Sequence, residues 1–361
     1  MKDLRHELTD ARLAELLECD DDKFAPYAAA ARDTLIAHVG DKCYLRALIE
    51  IGNICAKDCL YCGIRRSNRH AVRYMLGDDA IVSAVRASLE AGYRSIVLQG
   101  GEQCSDSFTL RIERLLDKIS RLTPDGGPAV TLSLGEQSLS TYMRWREAGA
   151  RRYLLRIESS SRHLYSRIHP ADPLHSFDRR LEALMSLREA DYQVGTGVMI
   201  GLPGQTAEHL AADIRFMQQT DIDMCGMGPY LEHRHTPLYG LRHTLVPPAE
   251  RLRLSLRMVA LLRLVMPDIN IAATTALQAI DSHAREEALR MGANVIMPNM
   301  TPQQAKARYA LYENKPLCET PAGTMPLCGR ICDTGLVAAP EDDGTSRHYH
   351  KRKSHEPTAT R

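Results

Sequence analysis

The feature that most restricts how this chain can fold is a rhythm. Short apolar runs recur at Leu45–Ile51, Ser95–Leu98, Val130–Leu134, Tyr153–Ile157, Val194–Ile200, Ile222–Met227, Ile269–Ala273 and Asn294–Met297. Amphipathic stretches with helical spacing separate them: Asp78–Ala91, Phe108–Leu122, Leu139–Ala148, Ser176–Ala190, Ala207–Gln219, Pro248–Val265 and Ser282–Met291. Several of these stop at glycine, as in Ala91-Gly92, Ala148-Gly149 and Met291-Gly292, the usual end of a helix. Strands that alternate with helices pair in parallel through right-handed crossovers. Eight of them predict an α/β fold, a complete (β/α)8 barrel of the TIM type, which takes about 250 residues. An open doubly wound sheet is the alternative; no G-x-G-x-x-G turn follows the first strand to support it. The organisation that follows is an N-terminal helical segment 1–42, a barrel 43–300, a C-terminal extension 301–338 and a mobile polar tail 339–361.

Directly after the first strand the chain reads Cys55-Ala-Lys-Asp-Cys59-Leu-Tyr-Cys62. In a barrel this is a loop of the C-terminal face, where active sites form. Three thiolates hold three corners of a 4Fe-4S cube and leave the fourth iron without a protein ligand. An open iron can chelate the amino and carboxylate groups of S-adenosylmethionine (SAM), and an electron passed into the sulfonium would release a 5′-deoxyadenosyl radical. The cofactor carries that chemistry, and the protein holds and aims it. Zinc would prefer four ligands, and no fourth Cys or His with finger spacing lies close by. A bacterial ferredoxin run has different spacing and a fourth Cys followed by Pro. Tyr61 fits packing beside adenine, with plain loop packing as the ordinary alternative. The second strand ends in Gln99-Gly100-Gly101-Glu102, whose glycines let backbone approach a ligand, here the SAM amino group. A simple turn is the other reading.

Bulk properties narrow the class further. The net charge of +1 gives no reason to expect nucleic acid or an anionic membrane as a partner. No apolar run is long enough to span a bilayer, and Met1–Leu8 lacks a signal-peptide core, so a cytoplasmic enzyme is expected. Clustered thiols in a reducing compartment read as metal ligands. Cys318, Cys328 and Cys332 form a second, looser group, a candidate site for an accessory iron–sulfur cluster, with zinc or free thiols as alternatives. Cys19, Cys43, Cys104 and Cys225 read as small buried residues. The basic run around His348–Lys353 reads as a solvated terminus.

Several segments resemble the HydE family of FeFe-hydrogenase maturases, within the radical SAM superfamily. They are Ile54–Arg66, Val97–Glu102, Thr131–Glu136, Arg152–Glu158, Met199–Thr206, Asp223–Pro229, Ala273–Ala276 and Ala293–Pro302. The resemblance runs from about Leu45 to Tyr312 and implies a full barrel with SAM at its top. It implies action on a cysteine-bound iron carbonyl cyanide precursor of the hydrogenase diiron subsite. The implied partners are the maturases HydG and HydF and a low-potential electron donor. Residue by residue, it implies that Ser133, Arg156, Glu158, Arg180 and Met224 bind SAM beside Tyr61 and Gly100–Glu102. Thr131, Thr274, Thr275, Tyr309 and Tyr312 then line the substrate end. On spacing alone, Arg180 reads as a surface helix charge, Met224 as packing, and Tyr309 with Tyr312 as one helical face. Arg156 and Glu158 alternate with Leu155 and Ile157, so both are expected on one strand face. Biotin synthase, methylornithine synthase (acting on a small amino-acid-like substrate), a non-catalytic iron–sulfur carrier and a zinc-binding interaction module are the competing readings. Biotin synthase draws sacrificial sulfur from cysteine-held iron inside its barrel. Here the corresponding interior positions carry Thr131, Ser133, Arg156 and Glu158.

Overall fold

The apolar runs become the staves of a barrel. The computed structural model describes residues 7–124, 127–317 and 323–355. The first stave is Lys42–Leu45 continued by Ala47–Gly52; the next three are Ser95–Gly100, Ala129–Ser133 and Ala150–Leu154. The fifth is Gln193–Thr196 with an outer piece Met199–Ile200, and the sixth Met224–Cys225 with Gly228–Pro229. Asn270–Ile271 and Val295–Ile296 are the seventh and eighth. All neighbours pair in parallel, with registers such as Leu48↔Val97, Leu98↔Leu132, Tyr153↔Val194 and Gly195↔Met224. The ring closes where Tyr44 pairs Val295 and where single bridges join Leu48 to Asn299 and Ala272 to Val295. The predicted complete barrel is therefore the observed one.

Helix bounds follow local capping chemistry. Ala207–Gln219 and Pro248–Val265 fall where the periodicity puts them. Asp106–Ser120 starts two residues earlier than expected, because the Ser105 side chain accepts from Phe108 N at 3.2 Å and so fixes the first turn. Its apolar stripe of Phe108, Ile112, Leu115, Leu116 and Ile119 packs on the sheet core. The N-terminal helices Asp10–Glu18 and Asp21–His38 are tied to the barrel by the buried guanidinium of Arg257. That group donates to Leu16 O and Leu17 O at 3.1 Å and pairs Asp21 at 2.6 Å, so a cation satisfies the carbonyls that end a helix.

Two expectations are corrected. The fourth strand is Ala150–Leu154, not Tyr153–Ile157. From Ile157 the ladder is interrupted by the Thr196 hydroxyl, which takes the Ile157 amide at 3.0 Å. Arg156 thus lies beyond the strand, and Glu158, which rejoins its neighbour only through a single parallel bridge to Val198, adopts a left-handed φ of +67°. The second correction is the tail expected to be mobile from 339. Val337–Ala339 is a strand parallel to the first stave, and Arg347–His355 is a helix. Between them the chain crosses the barrel floor. The Gly344 carbonyl accepts from Arg46 at 3.1 Å and Asn270 at 2.8 Å, and the Asp343 carbonyl from Arg152 at 2.6 Å. Buried guanidinium groups are costly without acceptors, and the C-terminal segment supplies them.

The final helix is held by an ionic latch. His348 reaches Asp221 at 2.7 Å and Asp268 at 2.9 Å; Lys351 pairs Asp268 at 2.7 Å and Arg352 pairs Asp223 at 2.8 Å. The Asp268 hydrogen bond raises the His348 pKa above its ordinary value, burial opposes this, and Asp221 adds to it. Asp268 is held low: burial works against this, and His348 and Lys351 outweigh it. A raised histidine contributes fully below its unfolded value of about 6.5 and is lost as pH rises through the folded one. A depressed aspartate contributes above about 3.8 and is lost on acidification. Amide exchange across 337–355, corrected for intrinsic rates, is therefore expected to lose protection as pH rises past neutrality. His348→Ala should remove that loss, and pH-independent protection in the unsubstituted protein would refute the latch. Among the described residues no helix is long and apolar enough to cross a membrane.

Candidate active site

A cavity of about 240 Å³ lies at the C-terminal mouth of the barrel. Its wall carries Cys55, Cys59, Cys62, Tyr61, Gly100–Glu102, Ser133, Arg156, Glu158, Arg180, Tyr309 and Tyr312, so most of the expected site converges there. The strand-two glycines do more than face a ligand. A Cβ on Gly101 would sit 2.3 Å from Ile54 O and 2.8 Å from Cys55 Cβ, so only glycine lets this strand pack under the cysteine loop. Glu102 N donates to Cys55 Sγ at 3.3 Å and holds that thiol toward the cavity.

The three thiols are poorly placed to ionise alone. Burial raises the Cys55 pKa and pushes Cys59 up to about 12, although Arg180 opposes the latter. Cys62 is raised further, by burial and then by its neighbours Cys59 and Cys55. A metal centre supplies the positive charge that such a set lacks, which is how coordination turns buried thiols into thiolates. Among the described residues no group of three His, Cys, Asp or Glu closes round a single ion. A 4Fe-4S cube makes no such demand, because each thiolate binds a different iron. The donor set fits a cluster held by three cysteines.

Beside the thiols lies a charge network that sequence reading missed. Glu136 accepts from Arg180 Nε at 2.5 Å, Lys57 Nζ at 2.8 Å and Arg179 Nε at 3.0 Å. Arg180 and Lys57 hold Glu136 below the usual carboxylate range although burial pushes it up. For Glu102 burial wins: it raises the pKa, helped by the neighbouring Glu136 charge, although Lys57 and Arg180 pull the other way. Glu102 Oε2 accepts from Glu136 N at 2.8 Å, while Oε1 stands 3.5 Å from Lys57 Nζ without a hydrogen bond. The signal was present in outline: the second and third strands both run into a Gly-Glu pair, Gly101-Glu102 and Gly135-Glu136. Arg180, which looked like a surface helix charge, is 6% exposed and also donates to Arg156 O.

Arg156 Nη2 and Glu158 Oε2 form an ion pair at 3.0 Å that is out of line for a hydrogen bond. Arg156 Nη2 points instead at Val198 O, 2.8 Å away. Glu158 Oε2 is thus a buried acceptor lacking a donor. Its left-handed backbone stores strain of about 1–3 kcal/mol, a feature that clusters at functional sites. The free oxygens of Glu102 and Glu158 suit a ligand that brings donors, such as an ammonium or ribose hydroxyls. Tyr61 meets His169 edge-on, ring centroids 5.5 Å apart.

Other expected residues lie elsewhere. Met224 and Thr131 do not line this cavity. They border a separate void of about 20 Å³ nearer the floor, with Leu154 between the two spaces. Met224 Sδ accepts there from Arg46 Nη1 at 3.0 Å, so the strand places it too deep to touch a ligand at the mouth. Thr274 and Thr275 precede the wall residue Ala276 without lining the cavity, and the Thr274 hydroxyl is spent on Met227 O at 3.1 Å. Tyr309 is buried at the wall, under the Lys315 ammonium 4.9 Å from its ring centroid. Lys315 also pairs Glu50, a buried charge behind Tyr309 that periodicity had hidden inside the first strand. Cys328 and Cys332 sit one turn apart on helix Thr324–Cys332; Cys318 lies outside the described residues.

Comparison with known proteins gives the family and the fold. Residues 49–217 match the model of the Radical SAM superfamily. The chain is similar to the FeFe-hydrogenase maturase subunit HydE of Thermotoga maritima, 41% identical over 314 residues, 86% of each chain. Its fold is similar to that of methylornithine synthase (TM-score 0.77, 22% identity, 97% of this chain and 98% of that one). It is similar also to the maturase HydG from Carboxydothermus hydrogenoformans (TM-score 0.78, 19% identity, 93% and 77%).

Proposed function

We propose, from the premise that this chain belongs to the HydE family of FeFe-hydrogenase maturases within the radical SAM superfamily, that it acts on a cysteine-bound iron carbonyl cyanide precursor of the hydrogenase diiron subsite. The supporting observation is the 41% identity over 314 residues, 86% of both chains. The likeness to methylornithine synthase, at 22% identity, concerns the fold alone.

When bound, the cluster and SAM together supply one-electron reductive cleavage of the sulfonium. The chain's own residues have narrower tasks. Cys55, Cys59 and Cys62 hold the cluster. Glu102 Oε1 would accept a hydrogen bond from the SAM ammonium, and Glu158 Oε2 one from its ribose. Arg180 and Lys57, neutralised by Glu136, keep a positive edge near the SAM carboxylate without leaving a buried charge unpaired. Tyr61, Ser133 and Arg156 complete that pocket. Tyr309 and Tyr312, which line the mouth, border the space a substrate enters, and HydG and HydF are the partners that deliver and receive. The decisive test is maturation of an apo FeFe-hydrogenase with the other maturases, with and without this protein. Hydrogenase activity should depend on its presence, and an unchanged yield on omission refutes the reading.

A further inference from the structure

Two stretches of the sequence contain bases and no acids. From Asp58 to Asp78 the chain carries Arg65, Arg66, Arg69, His70 and Arg73 between those two aspartates. From Glu232 to Glu250 it carries His233, Arg234, His235, Arg242 and His243. The fold brings both to one rim. The His70 and His235 rings stack at 3.9 Å, and Leu238 N donates to Leu60 O at 3.1 Å. His233 is pressed so close to Gly63 that a Cβ there would lie 2.5 Å from its Cδ2.

This rim encloses Cys62. Arg65 N donates to Cys62 O at 3.1 Å, so the basic loop begins where the cluster loop ends. The carboxylates present are already matched: Asp58 by Arg65 at 2.9 Å, Glu232 by Arg251 at 3.0 Å and Glu313 by Arg234. Arg66 and Arg69 are exposed, and among the described residues neither joins an ion pair. Arg242 is exposed too, resting on the Tyr239 ring at 4.6 Å. A chain of net charge +1 therefore concentrates unpaired positive charge on the face nearest its cysteine site. Val72, 62% exposed inside the first stretch, gives the patch an apolar point. A charged rim with a small apolar centre is the make-up of a surface for brief, steered encounters.

We infer that this rim docks an acidic, low-potential one-electron carrier protein and directs its electron to the cluster beside Cys62. The inference rests on the radical SAM reading of the site. In the step the carrier gives up one electron and is oxidised by one unit, and the cluster gains it; no bond forms or breaks. Charge complementarity selects an acidic partner, and the short covalent path from Arg65 to Cys62 selects an electron-transfer one.

The test uses the reconstituted enzyme, a reduced acidic ferredoxin, and dithionite as a small reductant. Arg66→Glu/Arg69→Glu is compared with Lys23→Glu, a reversal on helix Asp21–His38. Two quantities are read: the Kd of oxidised ferredoxin at low and high salt, and the rate of 5′-deoxyadenosine formation with each reductant. The double variant is expected to bind ferredoxin roughly tenfold or more weakly at low salt, with the difference fading at high salt. Its ferredoxin-driven rate should fall in proportion while its dithionite-driven rate and iron content stay unchanged, and Lys23→Glu should match the unsubstituted protein. An unchanged Kd, salt-independent binding, or a parallel fall in the dithionite-driven rate overturns the docking surface. Failure of the unsubstituted enzyme to cleave SAM with dithionite would count against the radical reading instead, and the Kd comparison would still judge the rim.

Discussion

Cys59→Ala is expected to abolish reductive cleavage of SAM and to lower bound iron by about one 4Fe-4S cluster per chain, while the fold survives. Cys59 is 8% exposed, and the side chain hydrogen-bonded to its thiol is the neutral Tyr61 hydroxyl, so its loss orphans no charge. The replaced sulfur leaves a small gap and not an unsatisfied charge, so the loss is one of coordination. Anaerobic reconstitution with iron and sulfide, then dithionite and SAM, measures it as 5′-deoxyadenosine. Cys328→Ala, on the outer helix Thr324–Cys332, should leave the yield largely intact. Equal loss in both variants would mean that the two cysteine groups have been ranked wrongly.

Glu136→Ala is expected to cost about 3–5 kcal/mol, the penalty for stranding a buried charge. The carboxylate is 2% exposed in its side chain, and among the described residues no other carboxylate lies within 3 Å of Lys57 or Arg180, which are 4% and 7% exposed. Glu102 cannot replace it: its nearer oxygen stands 3.5 Å from Lys57 and makes no hydrogen bond. Urea unfolding of the anaerobic protein would read the loss directly. Glu136→Gln, which keeps the shape and one of the two acceptor oxygens, should recover part of it. A cost below about 1 kcal/mol would place the network among surface pairs and remove its role in positioning SAM.

The barrel and the cluster loop were legible because their signals are local. A buried parallel strand needs four to six neighbouring apolar residues, a helix a 3.6-residue stripe, and a three-thiol loop two short spacings. Each is written within a dozen positions, so chain order alone carried it as far as the mouth of the barrel. Glu136 was harder to see, because its partners are 79 residues before it and 44 after it. Nothing in a strand-end Gly-Glu says which cation will arrive.

By itself, then, the sequence determined eight parallel staves, the caps that bound their helices, and Cys55, Cys59 and Cys62 as a group with one open position to offer. Only the tertiary structure decided the depth and pairing of the side chains around them. It put Met224 on the floor beside Arg46, turned Arg180 inward to Glu136, and folded 337–355 under the barrel against Asp221, Asp223 and Asp268. The physical reason is that a buried charge is stable only where its partner lies in space. Closure of the ring sets that place by bringing distant strand ends together, and no single stretch of chain contains both halves of such a pair.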